Sequence, residues 1–128
     1  MQTREIPRDQ WLRTLDEFSK KHQGWIVTVE VFGPTLGDQE EASGLPLVGI
    51  SADVKDHQST VEVIVGRGTE AHLTRIINRP KRILFEQPDV PALPGHEAVA
   101  VEDDEGTTTL VTFRHVAPDQ PARQLPGK

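Results

Sequence analysis

Six segments of this chain alternate apolar and polar residues with a period of two, and no other feature limits the fold as strongly. The segments are residues 25–32, 47–54, 61–65, 83–85, 99–101 and 110–113. Successive side chains of a β-strand point to opposite faces of a sheet, so this pattern predicts strands that bury one face only. We therefore expect a mainly β, mostly antiparallel sheet, which by itself implies no particular chemistry.

A single helical pattern precedes the strands. Pro7 suits the first turn of a helix because its missing N–H costs nothing there, and Gly24 can provide a left-handed cap at the other end. Between them, four apolar residues recur at helical spacing and form one stripe: Trp11, Leu12, Leu15 and Phe18. We predict a helix over about residues 8–22 whose apolar side covers the sheet.

Turn-forming residues divide the first half of the predicted sheet. The first strand covers residues 25–32, and residues 33–44, with three glycines, one proline and three acidic residues, are expected to form an exposed loop. The second strand is predicted over about residues 47–55 and the third over residues 60–65. The apolar residues expected on the buried side of the second strand are Val48, Ile50, Ala52 and Val54.

The second half of the predicted sheet ends in a hairpin. Residues 72–79 fit either a strand or one helical turn, and we favour a strand because the segment is short and Pro80 follows at once. Another strand is predicted over residues 82–87, followed by a proline-rich loop over residues 88–95. The hairpin strands are then expected over residues 97–102 and 107–114, around a turn at residues 103–106.

Six or seven short strands after one helix predict a small, strongly bent antiparallel sheet or partial barrel, similar to Sm-like or SH3-like folds, with the helix at one end. The alternative is a split α+β sheet with the helix across one face. We assign residues 1–115 to a single domain, and a chain of 128 residues is long enough to build its own core. Residues 116–128 contain three prolines and few apolar residues, which predicts a flexible tail.

The composition excludes several kinds of site. The chain contains no cysteine, which rules out disulfides, thiolate zinc sites and cysteine nucleophiles. Together with the absence of any long apolar segment, this predicts a soluble cytoplasmic protein without a membrane partner. The net charge of −6 argues against a dedicated binder of duplex DNA, because contacts with phosphate dominate such affinity.

One segment departs from the acidic character of the chain. Residues 67–82 contain five basic residues and one acidic residue. Arginine side chains there could hold a phosphate or a carboxylate. Base stacking requires exposed aromatic residues, but of the two tryptophans and four phenylalanines only Phe32 and Trp25 can be spared from the core. The candidate contacts for an anion or a single-stranded RNA are Arg75, Arg79, Lys81 and Arg82.

Other motifs receive structural interpretations. No two histidines are spaced as an i, i+4 pair and no cysteine completes a zinc site, so we expect all five on the surface: His22, His57, His72, His96 and His115. The acidic residues 103–106 are interpreted as a hairpin tip, because the distant glutamate of a calcium-binding loop is missing.

Asp53 remains as a candidate for chemistry. It is expected on the outward face of the second strand, with Asp56 and His57 in the following turn, and such groups could line a pocket for a small ligand or for acid–base catalysis. An aspartate near a strand end commonly caps a turn, and we favour that role. No serine has the context of a nucleophile elbow. The sequence therefore predicts no catalytic residue, no cofactor and no metal site.

Several segments resemble one family of small bacterial proteins. They are TREIPR (residues 3–8), GWIVTVEV (24–31), LPL (45–47), GISAD (49–53), FEQ (85–87) and GTTTL (106–110). Together they are similar to domain-of-unknown-function family 5335, over about residues 3–114. Because no activity, ligand or catalytic residue is established for that family, the resemblance implies no functional residue here.

Three functional hypotheses follow. The leading one is a non-enzymatic module that acts through its surface, by self-association or by contact with a protein partner, since exposed strand edges can pair with another chain. The first alternative is an anion or single-stranded RNA binder that uses the basic segment 67–82, although the charge argues against nucleic acid. The second is a small-ligand binder or enzyme with a pocket near Asp53 and His57.

Overall fold

The computed structural model describes residues 2–35, 37–55, 58–67, 71–87 and 97–114. These residues form a 3₁₀ turn (Arg8–Gln10), an α-helix, α1 (Trp11–His22), and eight strands. The strands are β1 (Gln2–Glu5), β2 (Ile26–Gly33), β3 (Gly37–Asp53), β4 (Thr60–Arg67), β5 (Ala71–Asn78), β6 (Pro80–Gln87), β7 (Glu97–Asp103) and β8 (Thr108–Arg114).

The described strands form one antiparallel sheet that is curved and does not close. Its order is β1-β6-β7-β8-β2-β3-β4-β5. Strand β3 pairs with two different strands along its length. Its residues 37–46 pair with β2, and its residues 47–53 pair with β4. It therefore joins a larger part of the sheet, formed by β1, β6, β7, β8 and β2, to a smaller part formed by β4 and β5.

The predicted mainly β class, with one short N-terminal helix, is confirmed. The described strands outnumber the six or seven expected, because β1 pairs with β6 although its residues show no alternation of apolar and polar side chains. The narrower likeness to an Sm-like or SH3-like barrel stays a prediction. The predicted loop at residues 88–95 and the tail at residues 116–128 lie outside the described residues.

The core lies between the curved sheet and α1, as three of the four residues of the predicted apolar stripe indicate, whereas the fourth, Leu12, is exposed. Trp11 and Leu15 are buried in it, and Phe18 packs against it. The indole Nε1 of Trp11 also donates a hydrogen bond to the backbone oxygen of Ile6 at 3.0 Å. The strand residues of the same cluster include Val27, Val29, Leu47, Ile50, Val61, Val63, Val65, Ile77, Ile83, Phe85, Val99, Val101, Val111 and Phe113.

The prediction of a loop over residues 33–44 is wrong for most of that segment. Strand β3 begins at Gly37, and residues 37–46 pair with β2, so only residues 34–36 separate the two strands. Residues 37–41 are exposed throughout. Because neither face of this segment is buried, polar residues are tolerated on both faces. The segment therefore lacks the period-two alternation by which strands with one buried face are recognised.

The predicted inward side of the second strand is also partly wrong. Val48 is 44 % exposed and Val54 is exposed as well, whereas Leu47 and Ile50 are buried. The register shifts between Leu47 and Gly49. This β-bulge turns Val48 away from the core between the buried Leu47 and Ile50. Val54 is exposed because it lies beyond the end of β3, whereas Ile50 is buried as predicted.

The remaining elements agree with the sequence. Residues 71–78 form strand β5, which confirms a strand rather than a helical turn in this region. The final hairpin, β7 and β8, is confirmed, and so is the helix, which starts as a 3₁₀ turn. Gly24 has the positive φ predicted for it, 88°, but it lies in the turn after the helix, where its N–H donates to the Leu47 carbonyl, and the helix ends at an extended Gln23.

Candidate functional site

Strands β3, β4 and β5 expose one side of the smaller part of the sheet, which we name the β3–β5 face. Val61, Val63 and Val65 point into the core, so the alternate residues lie on the opposite side. The strand register places these residues in three rows: Gly49, Ile64 and Thr74; Ser51, Glu62 and Ile76; and Asp53, Thr60 and Asn78.

Apolar side chains interrupt the polar character of the β3–β5 face. Ile76 on β5 is 53 % exposed, and Val48 on β3 is exposed beside the first row. Ile64, on the strand between them, is half-buried. Neighbouring large apolar residues that remain exposed are typical of surfaces that contact another molecule.

A polar cleft of about 410 Å³ lies at the end of this face. Its lining residues come from the third row, from the connection between β3 and β4, and from the end of β5: Asp53, Lys55, Gln58, Ser59, Thr60, Asn78 and Arg79. Asp53, the sequence candidate for a pocket, therefore does line one, and it is exposed there beside Lys55 at an Oδ2–Nζ distance of 3.6 Å. Asp56 and His57 lie outside the described residues.

Ser59 ties the cleft to the start of the helix. It is only 3 % exposed, and its Oγ accepts a hydrogen bond from Arg8 Nη2 at 2.7 Å and donates one to the Lys55 carbonyl at 3.1 Å. The Arg8 guanidinium also lies 4.7 Å from the centre of the Trp11 ring. Because the Ser59 hydroxyl already donates one hydrogen bond and accepts another, Ser59 has a structural role rather than that of a nucleophile.

Arg79 forms the sharp corner at which β5 continues into β6. Its φ of 52° is a left-handed conformation that residues other than glycine rarely adopt. Its backbone N–H donates to Ser59 and its carbonyl accepts from the Asp104 N–H. The side chain donates to Asp104 Oδ2 at 2.8 Å and to Glu105 Oε2 at 3.3 Å. The hydrogen bond and charge of Asp104 raise the pKa of Arg79, which stays a cation paired with carboxylates.

The structure does not bring the predicted anion contacts together. Arg82 donates two hydrogen bonds to Glu102 Oε1, at 3.0 and 2.6 Å, and this contact raises the pKa of Arg82. Arg75 lies on the inner face of β5, opposite Val63, and donates from Nε to Thr109 Oγ1 at 3.3 Å. Lys81 is exposed. Two of the four candidates thus have their charge balanced by the β7–β8 hairpin.

The prediction that all histidines are on the surface is wrong for His22, which is 2 % exposed. Its Nε2 lies 2.6 Å from Glu97 Oε1 and its Nδ1 lies 2.9 Å from the Phe18 carbonyl oxygen. The ring stacks on Phe18 with 3.8 Å between centroids. Its position, seven residues after Leu15 on the apolar stripe, is the signal that predicts burial. His72 is exposed as expected, and the other three histidines lie outside the described residues.

Hydrogen bonds from backbone N–H groups to the Asp103 side chain stabilise the acidic hairpin tip. Asp103 Oδ1 accepts hydrogen bonds from the N–H groups of Glu105 and Thr107, at 2.9 and 3.0 Å. Asp103 therefore acts as a turn-forming residue. Within the described residues, no group of three or more acidic or histidine side chains is placed to hold a metal ion. The one described helix is too short and too polar to cross a lipid bilayer.

These features define a small protein with a curved antiparallel sheet, an exposed face at the edge of that sheet and a polar cleft beside it. The chain belongs to a family of unknown function, DUF5335, whose family model matches residues 2–121. It is 34 % identical over 118 residues to an uncharacterized protein of Aquifex aeolicus (strain VF5), with 92 % of this chain and 97 % of the relative covered. No solved structure matches the chain.

Proposed function

We propose that this protein is a non-enzymatic module that contacts other protein chains through strand β5 and the adjoining β3–β5 face. The observation that carries the proposal is the position of β5 in the sheet. It pairs with β4 on one side only, and among the described strands it has no hydrogen-bonded neighbour on the other side. The N–H and C=O groups along such an edge can bind an added strand from another chain.

Strand β5 suits this role better than the other end of the sheet. The other terminal strand, β1, has four residues, of which Arg4 and Glu5 are charged and exposed. Short and charged edge strands are a common means by which proteins prevent pairing with other chains. Strand β5 has eight residues, and its exposed Ile76 adjoins the half-buried Ile64 of the same face.

The chemistry of the cleft supports a non-enzymatic role. Its Ser59 hydroxyl is engaged by Arg8 and Lys55, and its Arg79 guanidinium is engaged by Asp104 and Glu105. A nucleophile needs a reactive atom free to face a substrate, which Ser59 lacks, so the exposed pair Asp53 and Lys55 is left to bind a ligand rather than to assist a nucleophile. We further propose a cytoplasmic location, which the absence of cysteine supports, since small secreted domains commonly depend on disulfides.

Photo-cross-linking in cells tests the proposed contact surface. A photoreactive amino acid replaces either Ile76 on β5 or Leu12 on α1, each more than half exposed, in the full chain. We expect covalent adducts with protein from position 76 in clear excess over position 12, because only position 76 lies beside the free edge. Equal labelling from both positions, or no adduct from position 76, contradicts the proposal.

The polar cleft favours a second candidate function, the binding of a small zwitterion. Asp53 and Lys55 form a long contact between exposed side chains, which contributes little free energy and can open to receive a ligand's ammonium and carboxylate groups. We expect free amino acids to shift the NMR amide signals of Thr60 and Asn78, and the Asp53→Asn variant to lose the shifts. Asp38→Asn, an exposed carboxylate on another part of β3, is the control. Unshifted signals at millimolar amino acid rule this candidate out.

A further inference from the structure

We propose that the chain bound at the free edge of β5 is a second copy of this protein, paired antiparallel about a twofold axis at Thr74. The inference rests on the proposed function, because it names the partner of the same strand. The two copies then share one sheet in which the order is β4, β5, the second copy's β5 and the second copy's β4. Such a contact is isologous, so each copy contributes the same residues to it.

The distribution of charge favours β5 for contact between identical chains. A net charge of −6 makes most surfaces of two copies repel each other. The exposed side chains of β5 include no carboxylate: His72, Thr74, Ile76 and Asn78. Its arginine, Arg75, lies on the inner face and is bonded to Thr109. Two β5 strands can therefore approach each other without like charges meeting on the exposed side.

The alternation of faces restricts the register of the pair. In a shared sheet, inner residues must lie opposite inner residues, so the twofold axis has to pass through a residue that faces its own copy. An axis at Arg75 places two guanidinium groups directly opposite each other, which destabilises a strand pair. An axis at Ile76 or later extends the partner strand beyond Asn78, to the corner at Arg79. The chain turns into β6 there, and the Arg79 carbonyl is already bonded to the Asp104 N–H, so the partner strand cannot continue the pairing.

An axis at Thr74 avoids both conflicts. It pairs residues 71–77 of one copy with residues 77–71 of the other, so nearly the whole strand takes part. Thr74 then faces itself, Ile76 faces His72 of the other copy, and Arg75 faces Leu73 of the other copy. Cross-strand threonine pairs and pairs of aliphatic with aromatic side chains are favourable combinations.

Single-cysteine variants test this register, because the natural chain contains no cysteine. In the proposed dimer, position 74 meets its own copy at about 5 Å between Cβ atoms. Position 76 lies about 13 Å from its own copy, four residues along the strand, and directly opposite position 72. Under mild oxidation we expect Thr74→Cys to form linked dimers roughly tenfold faster than Ile76→Cys, since a disulfide requires close Cβ atoms. A mixture of Ile76→Cys with His72→Cys should also form linked dimers, and Leu12→Cys on the helix is the control.

The possible outcomes separate this inference from the proposed function. Faster linkage of Ile76→Cys to itself than of Thr74→Cys overturns the register. Linkage from every β5 position at the rate of Leu12→Cys, with the unmodified chain sedimenting as a monomer at all concentrations, overturns the second copy as partner. If photo-cross-linking at position 76 nevertheless labels a different protein, the proposed function stands and only this inference fails. If neither experiment gives a product, both fail.

Discussion

Replacing Trp11 by alanine is expected to lower the free energy of unfolding by about 4 kcal/mol. The indole is buried against the core cluster, donates to the Ile6 carbonyl and lies beneath the Arg8 guanidinium. Its removal leaves a large cavity where the helix covers the curved sheet, together with an unpaired backbone oxygen. The measurement is equilibrium unfolding in urea, followed by far-ultraviolet circular dichroism.

The adjacent residue provides a matched control for this variant. Leu12 belongs to the same helix but is 57 % exposed, so Leu12→Ala should change stability by about 0.5 kcal/mol or less. Both substitutions shorten an apolar residue of the helix to alanine, and they differ mainly in burial. Equal losses in the two variants would show that the apolar side of α1 does not cover the core.

Replacing His22 by alanine is expected to lower the free energy of unfolding by about 3 kcal/mol. The imidazole bridges the Phe18 carbonyl and the Glu97 carboxylate, and it packs between Phe18, Trp25 and Phe113. The substitution removes this packing and deprives Glu97 of its hydrogen-bond partner. Because Glu97 begins β7, we also expect faster amide exchange at the start of that strand.

A double-mutant cycle separates the polar contact of His22 from its packing. The His22→Ala and Glu97→Gln variants and their combination should give a coupling free energy of about 1–2 kcal/mol, as expected for two groups in direct contact. His72→Ala, on the exposed side of β5, is the control and should leave stability nearly unchanged. A coupling near zero would mean that the 2.6 Å contact contributes nothing to folding.

The elements that the sequence predicts correctly are those in which one face of the element is buried. Helix α1 and strands β2, β4 and β8 each bury a regular set of residues, so their period appears in the sequence, whereas β7 buries four consecutive residues and is recognised by its apolar composition. The start of β3 is exposed throughout, and the bulge at Val48 shifts the period within the strand. Neither feature has a local signal, since both depend on which strand lies alongside.

The sequence singled out two of the residues that line the cleft, and it predicted neither the others nor their assembly. Asp53 and Arg79 both attract attention in the sequence, for different reasons, and the structure places them in the same cleft. The pairing of β4 with β3 and β5 aligns Asp53 with Thr60 and Asn78, which the sequence does not predict. Conversely, the basic segment is positive in isolation, but Glu102, Asp104 and Glu105 balance the charge of Arg79 and Arg82.

The amino-acid sequence alone determined the class of fold, the helix and most of the strands, because burial of one face leaves a periodic record along the chain. Only the tertiary structure decided that β5 is a terminal strand among the described strands of the sheet, that His22 is buried against Glu97, and that the arginines of the basic segment are already engaged. Each of these depends on residues at least 20 positions apart in the chain. Contacts between such residues follow from the order in which strands pair, and periodicity within a single segment carries no information about that order.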